Sequence, residues 1–224
     1  MTILGNRVPY EYFITQGKGE SNAGSEGLPY ETGSYDAALF DAGIQNANVI
    51  EYTSVMPTES KEIPKNEGLA RLQWGDVLEC IKAQANGKRG SKISAAVITT
   101  CVTDPKGKYL GGFACEYSGA GTKEEAGKSL LHSIVGMIER RGYGKMENPL
   151  LYRDNITDKG YKIHPGRHFV YEDLHVTNEY GSVFTAICFV SYRIPVLKNK
   201  SKSKTKTKSY SGKKNKKTSR HHRK

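Results

Sequence analysis

No stretch of this 224-residue chain approaches the roughly 20 consecutive apolar residues that cross a bilayer as a helix. A helical membrane protein is therefore a poor reading. The opening Met1-Thr2-Ile3-Leu4-Gly5-Asn6-Arg7 lacks the basic-then-apolar layout of a secretory signal. Cysteine is sparse: Cys80, Cys101, Cys115 and Cys188 stand far apart, mostly in apolar, strand-like runs. That spacing argues against a disulfide-stapled secreted module and predicts buried free thiols in a reducing, cytoplasmic setting. There is no internal repeat, and no G-x-S-x-G elbow on which a hydrolase triad could be anchored. Acidic residues are missing from residues 198–224, which hold 13 of the 34 Lys and Arg. The remaining 21 face all 23 Asp and Glu, so residues 1–197 carry −2 and the formal +11 belongs to a cationic tail. Net charge thus gives the body no nucleic-acid role.

What is present reads as one domain with a sizeable core. Residues 8–15 mix β-branched and aromatic side chains and predict a strand. Residues 17–33 are dense in glycine, carry Pro29, and predict a loop. Ser34 then suits an N-cap for a short helix over Ala37, Ala38, Leu39 and Phe40, stopped by Gly43. Residues 48–53 predict a strand ended by Pro57, residues 76–83 a further strand, and residues 93–103 a largely buried one. The turn Asp104-Pro105-Lys106-Gly107 pairs that strand antiparallel with residues 109–117. Thr122 and Glu125 form a capping box, followed by Ala126, Leu130, Leu131, Ile134, Val135, Met137 and Ile138 at helical spacing, up to Gly142. Residues 168–176 and 182–192 are two more strands around a turn at Asn178 to Gly181. Six or seven strands and two helices predict an α+β sandwich with helices covering sheets, bounded at residues 195–197. Beyond that boundary Lys alternates with Ser, Thr and Asn, a composition that builds no core and predicts disorder.

Several motifs fail on inspection. Gly17-Lys18-Gly19-Glu20-Ser21-Asn22 begins like a dinucleotide fingerprint, but the sixth position is not glycine and Glu20 would face a phosphate. His164 and His168 have ligand-like spacing, yet no Cys pair or carboxylate motif completes a zinc set, so no metal is expected. His132 adjoins an apolar helical stripe and suits packing or the surface.

One constellation is more specific. The run Tyr35-Asp36-Ala37-Ala38-Leu39-Phe40-Asp41-Ala42-Gly43-Ile44, then Asn48-Val49-Ile50, then Thr53-Ser54-Val55-Met56-Pro57, resembles the pyruvoyl-dependent arginine decarboxylases. So does Gly111-Gly112-Phe113-Ala114-Cys115-Glu116-Tyr117, followed by Lys123-Glu124-Glu125-Ala126 at a helix start. The resemblance covers about residues 7–193 and is weak between Met146 and Arg167.

The resemblance implies a four-layer αββα sandwich, trimers or multiples of trimers, and active sites between subunits. It implies a proenzyme that cuts itself between Thr53 and Ser54 into a β chain, residues 1–53, and an α chain, residues 54–224. Ser54 becomes a covalent pyruvoyl group, so neither pyridoxal phosphate nor a metal is needed. The substrate amine forms a Schiff base on that group, and L-arginine leaves as agmatine and CO₂. By the same resemblance Glu116 is the proton donor, which requires a desolvated carboxyl with a raised pKa. Asp36 maps to the acid beside the substrate guanidinium, where a planar bidentate pair favours a carboxylate. Asn48 maps to the asparagine beside the processing site, with Thr53 supplying the attacked carbonyl. Each has a plainer reading: Glu116 an outward strand carboxylate, Asp36 a first-turn helix acid, Asn48 a turn residue, Thr53-Ser54 a turn cap. Related histidine decarboxylases share the architecture, which leaves a second substrate open. The tail leaves open another class, an inert scaffold that binds nucleic acid or an anionic surface through residues 198–224.

Overall fold

The computed structural model describes residues 6–22 and 30–194. The cationic segment 198–224, its boundary at 195–197 and the middle of the glycine-dense stretch lie outside the described residues. In chain order the elements are β1 (Val8–Pro9), β2 (Glu11–Ser21), α1 (Tyr30–Ala42), β3 (Asn48–Glu51), β4 (Val55–Met56), β5 (Lys61–Glu62) and α2 (Lys65–Leu69). There follow β6 (Val77–Lys88), β7 (Lys92–Thr103), β8 (Tyr109–Gly119), α3 (Lys123–Arg140), β9 (Asn155–Ile156), β10 (Lys162–His175), β11 (Tyr180–Phe189) and β12 (Tyr192–Arg193). This is a mixed α+β fold, mostly sheet. One five-stranded sheet has the order β3-β6-β11-β2-β5, the other β4-β8-β7-β10-β9, and β1 pairs with β12.

Period-two alternation explains how β6 serves two sets of neighbours. Leu78 and Cys80 pack with Ala38 and Ala42 of α1. Ile81 and Ala83 face the other way, into a cluster with Ala95, Val97 and Ala114 of the second sheet. Leu130, Ile134 and Ile138, one stripe of α3, pack on Ala96, Ile98, Phe113 and Cys115. The predicted capping box is present: the Thr122 hydroxyl accepts from the Glu125 N–H, and the Glu125 carboxylate accepts from the Thr122 N–H. The β7–β8 hairpin forms with the predicted antiparallel pairing.

The glycine-dense stretch departs from expectation. β2 continues through Gly17 and Gly19 instead of giving way to a loop, because α1 lies directly against it. A Cβ on Gly17 would sit 2.2 Å from the Ala38 carbonyl oxygen and 2.6 Å from the Ala42 nitrogen. A Cβ on Gly19 would sit 2.5 Å from both the Ala37 Cβ and the Ala38 nitrogen. Glycine is needed here for close approach. Gly17→Ala should therefore lower unfolding free energy by about 1–3 kcal/mol or more, read as a lower midpoint in chemical denaturation with an unchanged slope.

Ser34 is also not a cap. α1 begins four residues earlier, and the buried Ser34 hydroxyl lies 2.8 Å from that of Ser182. The predicted stop at Gly43 is present, at φ 81°. Among the described residues, three helices and twelve strands replace the expected two and six or seven; α2 and the two-residue strands are too short to leave a periodic signature. All four cysteines are free, three of them buried and Cys101 only partly so. Among the described residues no helix is long and apolar enough to cross a membrane.

One topological feature positions the site. The chain leaves the first sheet at the end of β3, an edge strand parallel to β6. It joins the second sheet at β4, an edge strand antiparallel to β8. Tyr52, Thr53 and Ser54 make the crossing.

Candidate active site

The crossing is held at both ends by main-chain hydrogen bonds. The Tyr52 N–H donates to the Cys80 carbonyl at 2.7 Å, and the Ala114 N–H donates to the Ser54 carbonyl at 3.0 Å. Between them the Val55 N–H donates to the Thr53 carbonyl at 2.9 Å, closing a three-residue turn over Ser54. The Thr53 carbonyl is therefore already polarised by a donor on its oxygen.

Glu116 lies on β8, two residues beyond Ala114, and so on the same inward face. Its two carboxylate oxygens each accept from the Ser54 hydroxyl at 3.1 Å. Glu116 is partly buried, and desolvation pushes its carboxyl pKa above the ordinary range. The bonds from Ser54 and from its own N–H oppose that rise, and the negative charge of Glu51 adds to it. The result is a hydroxyl beside a polarised carbonyl, with a carboxyl group able to take or return its proton.

The other candidates lie elsewhere on the chain. Asn48 opens β3, six residues before Ser54, and its side-chain amide donates to the Gly75 carbonyl at 2.9 Å. Asp36 is exposed on α1 and makes no hydrogen bond or ion pair with any described residue. One chain thus brings together Thr53, Ser54 and Glu116, while Asp36 and Asn48 bond to neither Ser54 nor Glu116. His164 lies 2.9 Å from Asp154, and His168 3.0 Å from Glu62. No group of three or more His, Cys, Asp or Glu is gathered for a metal among the described residues.

Sequence reading missed one group. Glu79 of β6 is 5 % exposed, and its Oε2 accepts from the Tyr52 hydroxyl at 2.7 Å. A signal was available: an acid within the otherwise apolar run Val77-Leu78-Glu79-Cys80-Ile81 needs buried partners.

The fold and the Ser54–Glu116 pair define a class of protein in which a strand-crossing serine is held on a carboxyl group. The family can be given more closely. The sequence profile of the pyruvoyl-dependent arginine decarboxylases matches residues 11–194, and the chain belongs to that family. The pyruvoyl-dependent arginine decarboxylase AaxB of Chlamydia abortus is 39% identical over 121 residues, covering 50% of this chain and 60% of that protein. Its counterpart in Chlamydia caviae is 38% identical over 118 residues, with the same coverage of 50% and 60%. The pyruvoyl-dependent arginine decarboxylase of Thermoplasma volcanium is 28% identical over 161 residues, 68% of this chain and 84% of that protein. The chain thus spans about 60% of the chlamydial relatives' length. The family's cofactor is a covalently bound pyruvoyl group, not pyridoxal phosphate.

Proposed function

We propose that the chain cuts itself between Thr53 and Ser54 and, once cut, decarboxylates L-arginine to agmatine and CO₂. The observation that carries this reading is the Ser54 hydroxyl held 3.1 Å from both oxygens of Glu116 beside a carbonyl already hydrogen-bonded by Val55. In the cut, Ser54 Oγ bonds to the Thr53 carbonyl carbon and the Thr53–Ser54 C–N bond breaks. The hydroxyl proton passes to the freed amine, with Glu116 placed to relay it. Loss of the Ser54 α-proton then expels the Thr53 carboxylate, and uptake of water with release of ammonia leaves the ketone.

The residues present suit that group. Ser54 is anchored through its own carbonyl on Ala114, so the new chain start stays at the edge of β8 after Thr53 is released. A pyruvoyl ketone supplies an electron sink for a departing carboxylate. The remaining work falls to side chains of this chain. Glu116, with its raised pKa, holds a proton for the substrate α-carbon and is positioned by β8. Asp36 offers a free carboxylate to a guanidinium, where two parallel hydrogen bonds favour arginine. Asn48 contributes its amide beside the processing site.

Because Asp36 and Asn48 do not bond to the Ser54–Glu116 pair of the same chain, we read the complete site as shared between copies, in trimers or multiples of trimers. Exposed Ile50 and Val55, which flank the crossing, suit burial against such a copy. The arrangement of α1, the two sheets and α3 is read as the four-layer αββα sandwich, with residues 1–197 as the decarboxylase domain and segment 198–224 carried on the α chain. The test is intact mass of the purified protein together with ¹⁴CO₂ release from carboxyl-labelled amino acids. Masses for residues 1–53 and 54–224, with CO₂ from arginine, are expected. A single uncut chain would sink the reading, and CO₂ from histidine alone would reassign the substrate.

A further inference from the structure

The crossing that carries Thr53 is tethered one residue upstream, and the tether ends on a buried carboxylate that the decarboxylation reading leaves unused. Glu79 receives the Tyr52 hydroxyl on one oxygen at 2.7 Å and the Arg7 guanidinium on the other. The Tyr192 hydroxyl donates to the Phe189 carbonyl at 3.5 Å, and burial and the nearby charge of Glu79 raise its pKa. Arg7 lies over the Tyr192 ring, 4.6 Å from its centroid, and the Tyr52 ring packs on Phe189 at 5.8 Å. Burial first, then Glu79, pushes the Tyr52 hydroxyl up to about 12 and raises that of Tyr192 as well, so both remain donors at neutral pH.

These contacts gather distant parts of the chain. Arg7 precedes β1, Tyr192 lies on β12, and those two strands pair with each other. Glu79 comes from the middle of the fold. Tyr52 is therefore fixed twice, by its main chain on Cys80 and by its side chain on Glu79. Thr53, the next residue, is exposed, and among the described residues its carbonyl is held by the Val55 N–H. The direction of that carbonyl is set by Tyr52 on one side and by the β4–β8 ladder on the other. Attack by Ser54 Oγ depends on that direction, since a reacting pair misplaced by about 1 Å can lose about 10²-fold in rate.

We propose that Tyr52, Glu79, Arg7 and Tyr192 form a positioning clamp that presents the Thr53 carbonyl to Ser54 Oγ, so that the cut waits until β1 and β12 have closed onto Glu79. The inference rests on the self-cleavage reading above. The step it governs is the acyl shift: the Oγ–C bond forms, the C–N bond breaks, and the hydroxyl proton moves to the Ser54 nitrogen. No outside reagent is consumed in that step.

The test follows cutting of the full chain after pulse-labelled cell-free synthesis, on denaturing gels, with and without hydroxylamine, which splits an ester once it has formed. Tyr52→Phe, which keeps the ring on Phe189, and Arg7→Ala should each slow the appearance of fragments about tenfold or more. Hydroxylamine should not restore the rate, because the ester itself forms slowly. Arg7→Lys, which keeps the charge, should recover part of the lost rate. Thermal midpoints of Tyr52→Phe and Arg7→Ala, measured with Ser54→Ala also present so that only precursor is compared, should not account for the slowing. The clamp is overturned if Tyr52→Phe cuts at the wild-type rate, if hydroxylamine restores wild-type release, or if slowing follows loss of thermal stability alone. A wild-type chain that never cuts would remove the self-cleavage reading and the clamp with it, and the wild-type lane tells the two failures apart.

Discussion

Ser54→Ala is expected to leave the chain in one piece and to reduce CO₂ release to the uncatalysed background, a loss of about 10⁶-fold or more. The substitution removes one atom, which on the proposed reading is both the attacking oxygen and a required part of the ketone precursor. Little else changes. The Ser54 carbonyl still accepts from Ala114, the pairing of Val55 with Phe113 and Met56 with Gly112 needs no serine side chain, and among the described residues Oγ bonds only to Glu116. Stability should therefore move by about 1 kcal/mol or less. A single band on a denaturing gel, a native-like melting curve and no labelled CO₂ from arginine form the expected set. Fragments from Ser54→Ala at the wild-type rate would place the nucleophile elsewhere. Full turnover by an uncut chain would remove the ketone from the mechanism.

The parts of the fold legible in the sequence are those whose causes are local. The Asp104-Pro105-Lys106-Gly107 turn, the Thr122–Glu125 capping box and the Leu130, Ile134, Ile138 stripe each carry their physics within a few residues. They form as expected. Gly17 and Gly19 show the opposite case. Glycine is selected both where a chain must turn and where another backbone must come close, and a single sequence does not separate the two. Only the placement of α1 against β2 does so. The same helix takes Ser34 from an expected cap to a buried hydroxyl facing Ser182.

The site divides in a similar way. Ser54 and Glu116 stand 62 residues apart, and no spacing rule joins them; resemblance to a family singled them out, and the β4–β8 pairing puts them in contact. Tyr52 and Glu79 carried no motif at all. Their pairing needs the crossing between sheets, which sets Tyr52 beside β6 while Thr53 and Ser54 move on to β8. Asn48 and Asp36 have chemistry suited to their implied roles, but the first is bonded to Gly75 and the second makes no hydrogen bond or ion pair among the described residues. On the proposed reading their roles turn on neighbours supplied by a second copy of the chain.

Glu116→Gln should separate the two reactions proposed for this site. Glutamine keeps an oxygen to accept from the Ser54 hydroxyl but can neither donate nor store an acidic proton. The cut should therefore persist at a reduced rate, while arginine turnover falls about 10²–10⁴-fold, the range for loss of a positioned general acid. The pH dependence gives a second readout. Burial raises the Glu116 pKa, so the protonated donor persists to higher pH than for an ordinary carboxyl. Turnover in the wild type should fall as pH rises through that raised value. If cutting uses the ionised form to accept the Ser54 proton, as proposed, it should rise over the same interval. The sign for stability is also defined. A carboxyl whose folded pKa lies above its unfolded value binds more protons when folded, so its contribution to stability declines as pH rises from the unfolded to the folded pKa. Above that interval the ionised Glu116 is held at a cost, which glutamine removes. Glu116→Gln should thus melt no lower than wild type at pH above that interval, where lost turnover would not come from unfolding. Opposite pH profiles for cutting and turnover, both flattened in Glu116→Gln, would assign the two proton transfers to one carboxyl group. Parallel profiles, or a turnover profile unchanged by the substitution, would give the α-carbon proton to another residue.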